Sequence, residues 1–597
     1  MEVIKGAEFL IKEVSSNSVY ITEEFTEEQK MMKEAVIEFI DREVWPNKER
    51  FENKDYALTE QIMRQAGEMG FLGISIPEEY GGLGMGFVST MLVTDYISAA
   101  TGSVGTAYGA HTGIGTMPIY LYGTEEQRKK YLPQLTSGSK FGAYCLTEPG
   151  AGSDANSGKT TAKLTEDGKH YLINGQKMWI SNAGFAEIFI VFARIENDKN
   201  ITGFILEYDK NNPNGVTLGE EEKKLGIISS STRQVFFNDT KIPVENMLSE
   251  RGKGFKIALN SLNVGRIKLA AACLDAGRRV ITESVKYANE RVQFKSPIAK
   301  FGAIQAKLAD MSTRLFVSDA GSYRAAKDIQ NYIDDLLEKG KSHQEAELEA
   351  FSEYAIEAAI LKVYASEMSQ YVTDEGIQIF GGMGFSKDTP MESAWRDARI
   401  TRIYEGTNEI NRMLTIGMLL KKAMGGSIDL LTPAMEVGNS LMEIPSFDTP
   451  DYSERLSEEK EMLAKLKKAF LMISGKAVQS FGMELENHQQ LVMAAAEVMI
   501  EIYMAESAIL KADKLAQMTS DKEVSGQILM AKLNLYKAVN VISEKGKEAI
   551  AYFADGDEER MMLMGLKRFT KYANSPNPIK WRKEIATHII EANRYCF

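Results

Sequence analysis

The segment Arg402-Ile403-Tyr404-Glu405-Gly406-Thr407-Asn408-Glu409-Ile410 sets one carboxylate between an aromatic ring and a glycine, just after the basic run Arg396, Arg399 and Arg402. Glycine has no Cβ, so a ligand can come close to the backbone there. A carboxylate beside such an opening, with apolar neighbours to raise its pKa, can take a weakly acidic carbon-bound proton. A helix N-terminus carrying a solvated glutamate would use the same residues. Two further segments have the residue types of a ligand cradle. Tyr144-Cys145-Leu146-Thr147-Glu148-Pro149-Gly150-Ala151-Gly152-Ser153-Asp154 is a Gly-rich loop with hydroxyls whose backbone N–H groups suit an anion. Lys177-Met178-Trp179-Ile180-Ser181-Asn182 places a planar aromatic near a hydroxyl, as a flat ring system would require. An ordinary turn and a core tryptophan are the plainer accounts of these two.

Gly105 and Gly109 are four residues apart and share one face of a helix. Each costs roughly 1 kcal/mol against alanine in a helix interior. Close helix packing would justify that cost, and so would an open channel for a long ligand. The cluster Gly81-Gly82-Leu83-Gly84-Met85-Gly86 lacks the GxGxxG register and follows no clear strand, so it reads as a turn rather than a dinucleotide fingerprint.

The elements that must position these residues change in texture along the chain. Residues 1–140 read as a helical domain, with apolar residues at three- and four-residue spacing over 27–44 and a second helix near 87–100. Residues 141–248 hold short runs rich in Ile, Val, Phe and Tyr, at 170–173, 188–194, 202–207 and 233–238, separated by turns; this is a β-domain, a sandwich or barrel. Helical periodicity returns over 249–424, in runs of bundle length at 259–291, 304–337 and 348–380. Residues 425–453, with Pro433, Pro445 and Pro450, read as a linker, and 454–597 as a further helical domain without a catalytic constellation. The expected fold class is α+β, mainly α.

Composition bounds the function. A chain of 597 residues needs several cores. Its net charge of -13 argues against nucleic acid as a partner, because phosphate binding needs basic surface. The three cysteines and five histidines show no metal-ligand spacing, so no metal site is expected, and unpaired cysteines suit a reducing compartment. No signal peptide is apparent and no run of about 18 apolar residues occurs, which predicts no membrane span. The expected compartment is a bacterial cytoplasm, and a mitochondrial matrix would have the same signature.

Taken together, the motifs occur in one order: TEPGAGSD (147–154), KMWISN (177–182), Gly265-Arg266, QIFGGMGF (378–385), RDAR (396–399) and YEGTNEINR (404–412). Over roughly residues 25–420 this resembles the acyl-CoA dehydrogenases, and the added C-terminal domain is similar to that of their very-long-chain branch. The resemblance implies a helical domain, a middle β-domain and a four-helix bundle, with FAD as cofactor. It implies that Glu405 is the base that takes the α-proton of an acyl-CoA thioester while the β-hydride passes to flavin N5. It places Thr147, Ser153, Trp179, Ser181, Thr407 and Glu409 at the FAD, and Arg291, Gln293, Gln378 and Gly382 at the FAD of a neighbouring subunit. Ser153, Asn263, Arg266 and Gly406 fall at the substrate. Gly105 and Gly109 fall where medium-chain members carry larger polar side chains, which implies a deep tunnel and a long acyl chain.

Two departures stand out: Gln293-Phe294-Lys295 where Gln-Phe-Gly is usual, expected to alter a turn, and Glu392-Ser393 where Glu-Arg is usual, expected to loosen an ion pair. The implied partners are long-chain acyl-CoA, electron-transfer flavoprotein and a second copy in a homodimer, with peripheral membrane contact through the extension. An acyl-CoA oxidase on the same fold, and a respiratory-complex assembly scaffold, are the competing functions.

Overall fold

The structure, a computed structural model, describes residues 4–441 and 452–597. The N-terminal part consists of α1 (Glu27–Phe39), α2 (Lys48–Glu52), α3 (Tyr56–Glu68), α4 (Phe87–Ile97), α5 (Gly102–Gly109), α6 (Met117–Tyr122) and α7 (Glu125–Thr136). Local sequence explains where these start. Thr26 and Gln29 form a reciprocal capping box at α1, and Thr124 and Gln127 form another at α7. Every residue of α4 is buried, so it runs through the core rather than along a surface.

The β-domain contains β1 (Gly142–Cys145), β2 (Thr161–Leu164), β3 (His170–Ser181), β4 (Ile188–Ile195), β5 (Thr202–Glu207), β6 (Val216–Glu221), β7 (Thr232–Pro243) and β8 (Met247–Leu248). They form one sheet in the order β6-β7-β3-β2-β4-β5-β8, with β1 parallel to β4. All of β4 but Arg194 is buried, which is why it reads as an unbroken apolar run. The register of β3 on β7 slips between Lys177 and Ile180. Two residues there, Met178 and Trp179, face one on β7, a bulge that re-aims the strand.

The bundle contains α8 (Gly254–Ala272), α9 (Leu274–Glu290), a hairpin of β9 (Val292–Gln293) and β10 (Ser296–Pro297), α10 (Gly302–Glu338), α11 (His343–Glu353), α12 (Ala355–Phe380), α13 (Met391–Arg399) and α14 (Asn408–Met424). The run expected as one helix over 259–291 is two, jointed at Cys273. The Asp275 N–H is spent on the buried Asp95 carboxylate of α4 at 2.8 Å. The run over 348–380 is likewise jointed, at Tyr354.

Residues 425–453 are not the bare linker expected. α15 (Leu431–Ser440) lies inside them, with Pro433 in its first turn, where a missing N–H costs nothing. It packs Ala434 against Gly475. Pro445 and Pro450 lie outside the described residues. The extension continues as α16 (Ser457–Phe481), α17 (Gln489–Met518), α18 (Ser525–Phe553), α19 (Gly556–Phe569) and α20 (Pro578–Ala592). Ion pairs join it to the bundle: Arg324 to Glu506 at 2.9 Å, Lys511 to Asp319, and Arg582 to Asp310 at 2.9 Å. No helix among the described residues is long and apolar enough to cross a membrane.

Candidate active site

The loop between α13 and α14 makes a sharp reversal. Glu405 and Gly406 both have left-handed backbones, φ 57° and 82°. Glycine takes that conformation freely, but for glutamate it is strained and needs outside support. The support is dense. Arg266 Nε donates to the Glu405 carbonyl at 3.1 Å, Asn411 Nδ2 to the Gly406 carbonyl at 2.8 Å, and Lys362 Nζ to the same Gly406 carbonyl at 2.7 Å. The Thr407 hydroxyl caps α14 by accepting from Ile410 N–H at 3.2 Å. Arg266 is itself buried and oriented by Asn263 Oδ1 at 2.9 Å.

So braced, the Glu405 side chain points to the wall of a cavity of ≈ 180 Å³ that Tyr404, Gly265, Gly105, Gly109, Leu269 and Ser181 also line. Its Oε2 is shielded from solvent and has no hydrogen-bond partner. Burial pushes its pKa up to about 7, and Arg266 and Lys362 only partly oppose this. Both cations spend their hydrogen bonds on the loop's carbonyls and on the side-chain amides of Asn263 and Asn408 rather than on the carboxylate. A carboxylate at this pKa, aimed into an apolar cavity, is equipped to accept a proton near neutral pH.

Gly265 has a role that the sequence did not disclose. A Cβ at this position would stand 2.7 Å from Glu405 Oε2, so only glycine leaves the carboxylate its place. The two glycines of α5 differ. A Cβ at Gly109 would meet nothing within 4 Å, whereas one at Gly105 would press on Ser98 at 3.0 Å. Gly109 therefore opens the cavity, and Gly105 serves mainly close packing.

The β-domain presents its two motifs side by side. Lys177 Nζ and Glu148 Oε1 form a buried pair at 2.6 Å, which ties the strand of one motif to the loop of the other. Glu148 also accepts from Lys159 N–H at 2.6 Å and Thr160 N–H at 3.1 Å, and Met178 N–H donates to the Thr147 carbonyl at 2.9 Å. The bulge leaves Trp179 at φ 60° and 52% exposed, not in the core. Asn182 Nδ2 donates to the Ala107 carbonyl at 3.0 Å and so locks β3 to α5. Asp397 of the RDAR motif accepts from Gly102 N–H at 3.0 Å and fixes the start of the same helix. Ser153 is exposed beside Gly150 and Gly152, which have open space around them.

Arg291, Gln293, Gln378 and Gly382 are all exposed, and none lines the cavity. Tyr287 stacks on Phe380 at 4.1 Å, which brings the β9–β10 hairpin beside the turn after α12. Phe294 and Phe385 stand there 91% and 85% exposed. The two departures from the usual motifs do little. Phe294 and Lys295 form the hairpin turn with φ 50° and 64°, so the turn survives without glycine. Glu392 pairs with Arg396 at 2.6 Å and Arg396 reaches Glu52 at 2.5 Å, so the ion pair expected to loosen is made. Lys362 is the functional residue that sequence reasoning missed; its signal is a lone lysine in an otherwise apolar stretch of α12.

A left-handed, cavity-facing carboxylate between a helical bundle and a β-domain that offers an exposed ring defines the class of fold and site. Family models match four stretches: the acyl-CoA dehydrogenase N-terminal domain over residues 26–139, the middle domain over 143–240, the C-terminal domain over 252–419, and a second acyl-CoA dehydrogenase C-terminal domain over 465–568. A probable acyl-CoA dehydrogenase of Bacillus subtilis is 40% identical over 594 residues, covering 100% of this chain and 99% of that protein. The crystal structure of an acyl-CoA dehydrogenase complexed with FAD from Bacillus anthracis superposes with a TM-score of 0.95 at 40% identity, over 100% of both chains. A mitochondrial very long-chain specific acyl-CoA dehydrogenase from Macaca fascicularis is 39% identical over 66% of this chain and 58% of its own length. The chain belongs to the acyl-CoA dehydrogenase family.

Proposed function

We propose that this protein carries out the FAD-dependent α,β-dehydrogenation of long-chain acyl-CoA to trans-2-enoyl-CoA, with Glu405 as the base, and passes its electrons to an electron-transfer flavoprotein. The observation that carries the reading is the partnerless Glu405 Oε2 on the cavity wall, with its pKa pushed up to about 7.

The residues present fit a flavin. Trp179 offers an exposed ring and Ser181 a hydroxyl, Gly150 and Gly152 leave room beside Thr147 and Ser153, and the buried Tyr144 hydroxyl has no partner. Thr147, Ser153, Trp179 and Ser181 would hold the FAD, with Thr407 and Glu409 at the start of α14. Bound there, FAD supplies the acceptor for the β-hydride. The chain's own part is to seat the thioester and move the α-proton. The Glu405 N–H is the donor for the thioester oxygen, which must be polarised before so weak an acid can lose its proton. Asn263 and Arg266 hold that backbone in place from below. The opening at Gly109 gives the acyl chain its way past α5.

Arg291, Gln293, Gln378 and Gly382 serve the FAD of a second copy in a homodimer, supported by their exposure together with Phe294 and Phe385. Peripheral membrane contact through the extension is supported by exposed Leu431, Met435 and Met483. Co-sedimentation with anionic vesicles tests it.

The deciding experiment is anaerobic mixing with palmitoyl-CoA. The wild-type flavin bleaches, while Glu405→Gln keeps its FAD and does not bleach. Unchanged bleaching in the variant removes Glu405 from the mechanism. A substrate series from butyryl- to stearoyl-CoA then sets the chain length.

A further inference from the structure

The C-terminal extension reaches the catalytic loop through an unbroken line of polar contacts. Glu497 lies on α17, in the extension, and its Oε2 accepts from Arg412 Nε on α14 at 2.7 Å. Arg412 turns its other two nitrogens to Glu367 on α12, in a fork of 2.8 and 3.0 Å. Glu367 Oε1 also accepts from Asn408 Nδ2 at 3.0 Å. Asn408 Oδ1 accepts from Lys362 Nζ at 2.7 Å, and Lys362 Nζ donates onward to the Gly406 carbonyl at 2.7 Å. Ser366 closes the middle of the line by bonding Asn408 at 3.1 Å.

Each link is charge-assisted or buried. Asn408 is 1% exposed and Lys362 0%. In such surroundings an unmade hydrogen bond costs more than a made one gains, so the members hold one another in register. The line ends on the residue after Glu405, at the left-handed reversal that aims the carboxylate. Lys362 is also one of the two cations whose field lowers the pKa of Glu405.

We propose that Glu497 is a positioning residue for the dehydrogenation: through Arg412, Glu367, Asn408 and Lys362, the extension sets the conformation of the Glu405–Gly406 reversal. Arg412 shares its guanidinium between a carboxylate of the bundle and one of the extension. Without Glu497 it swings wholly onto Glu367 and draws that carboxylate from Asn408. Asn408 then releases Lys362, and the Gly406 carbonyl loses its fixed donor. The extension is thus a brace of the catalytic loop as well as a cover for the bundle. This inference rests on the reading of Glu405 as the base.

A double-mutant cycle on the full-length holoenzyme tests it, with Glu497→Gln, Lys362→Met and the pair. Two readouts are taken: the rate of anaerobic flavin reduction by palmitoyl-CoA across pH, and hydrogen–deuterium exchange of the peptide spanning residues 403–412. Glu497→Gln is expected to slow reduction about tenfold with KM changed less than twofold, and to raise exchange in that peptide about tenfold while the β-domain is unaffected. Lys362→Met should slow reduction further, and the double variant should match Lys362→Met alone, because one line is cut once. Glu497→Asp should fall between wild type and Glu497→Gln, and it carries the cycle if Glu497→Gln loses FAD. Effects that multiply independently, or exchange in 403–412 that stays at the wild-type rate, overturn the proposal. Glu405→Gln run alongside separates the two failures: if it still bleaches, the base assignment has fallen rather than the brace.

Discussion

Two buried carboxylate sites in this protein have opposite fates. Glu405, at the cavity, has an oxygen with no partner and a pKa pushed up to about 7. Asp319, at the joint between bundle and extension, is grasped by Arg278 at 2.7 Å and by Lys511, and its pKa is lowered. Burial opposes the charge in both cases. The difference lies in where the neighbouring cations put their hydrogen bonds. At Asp319 they go to the carboxylate. At Glu405 those of Arg266 and Lys362 go to backbone carbonyls and to the side-chain amides of Asn263 and Asn408, which leaves the Glu405 carboxylate unpaired with its pKa near 7. A closed pair makes a joint, and an open valence is available for chemistry.

The comparison can be broken in four ways. The largest effect belongs to catalysis: Glu405→Gln should cost flavin reduction roughly 10³-fold or more, within the range for a lost general base, as stopped-flow bleaching would read. At the joint, Glu506→Ala leaves Arg324 and Lys467 without their shared carboxylate. Urea unfolding should report a loss of about 3–5 kcal/mol, the usual cost of stripping one partner from a buried pair. Gly109→Leu fills open space in the cavity, so palmitoyl-CoA should lose about 10–100-fold in kcat/KM while butyryl-CoA changes little.

The smallest effect is on stability and depends on pH. The folded pKa of Glu405 is raised above its ordinary value of 4.5, so the ionised form is penalised. The penalty starts above pH 4.5, grows with pH, and is complete above about 7. Glu405→Gln removes it, so the variant should be more stable than wild type at pH 8 by on the order of 3 kcal/mol and nearly equal to it at about pH 4. The same titration predicts that wild-type kcat/KM rises with pH through about 7.

Much of this was legible before the structure. The helical spacing over 27–44, the apolar run at 188–194 that became β4 and the motif order each follow from neighbours in sequence. The linker reading of 425–453 failed on α15 because the prolines suggested a break, yet one at the first turn starts a helix as readily as it ends one. The single-helix readings of 259–291 and 348–380 failed because apolar periodicity continues across a joint; at Cys273 the next turn's Asp275 N–H goes to a distant carboxylate, Asp95. The paired reading of Gly105 and Gly109 divided once their surroundings were known, since spacing shows a shared face but not what lies opposite it.

By itself the sequence determined the order of helical and β regions and the residue types that meet at the cavity. These depend on periodicity, capping and turn chemistry within a few residues. Only the tertiary structure decided that the pKa of Glu405 is raised to about 7, that Gly265 leaves its carboxylate room, that Lys362 steadies the reversal and that Glu497 touches the same network. Desolvation and hydrogen bonding act through space, and the contact from Arg266 to Glu405 spans 139 residues of chain.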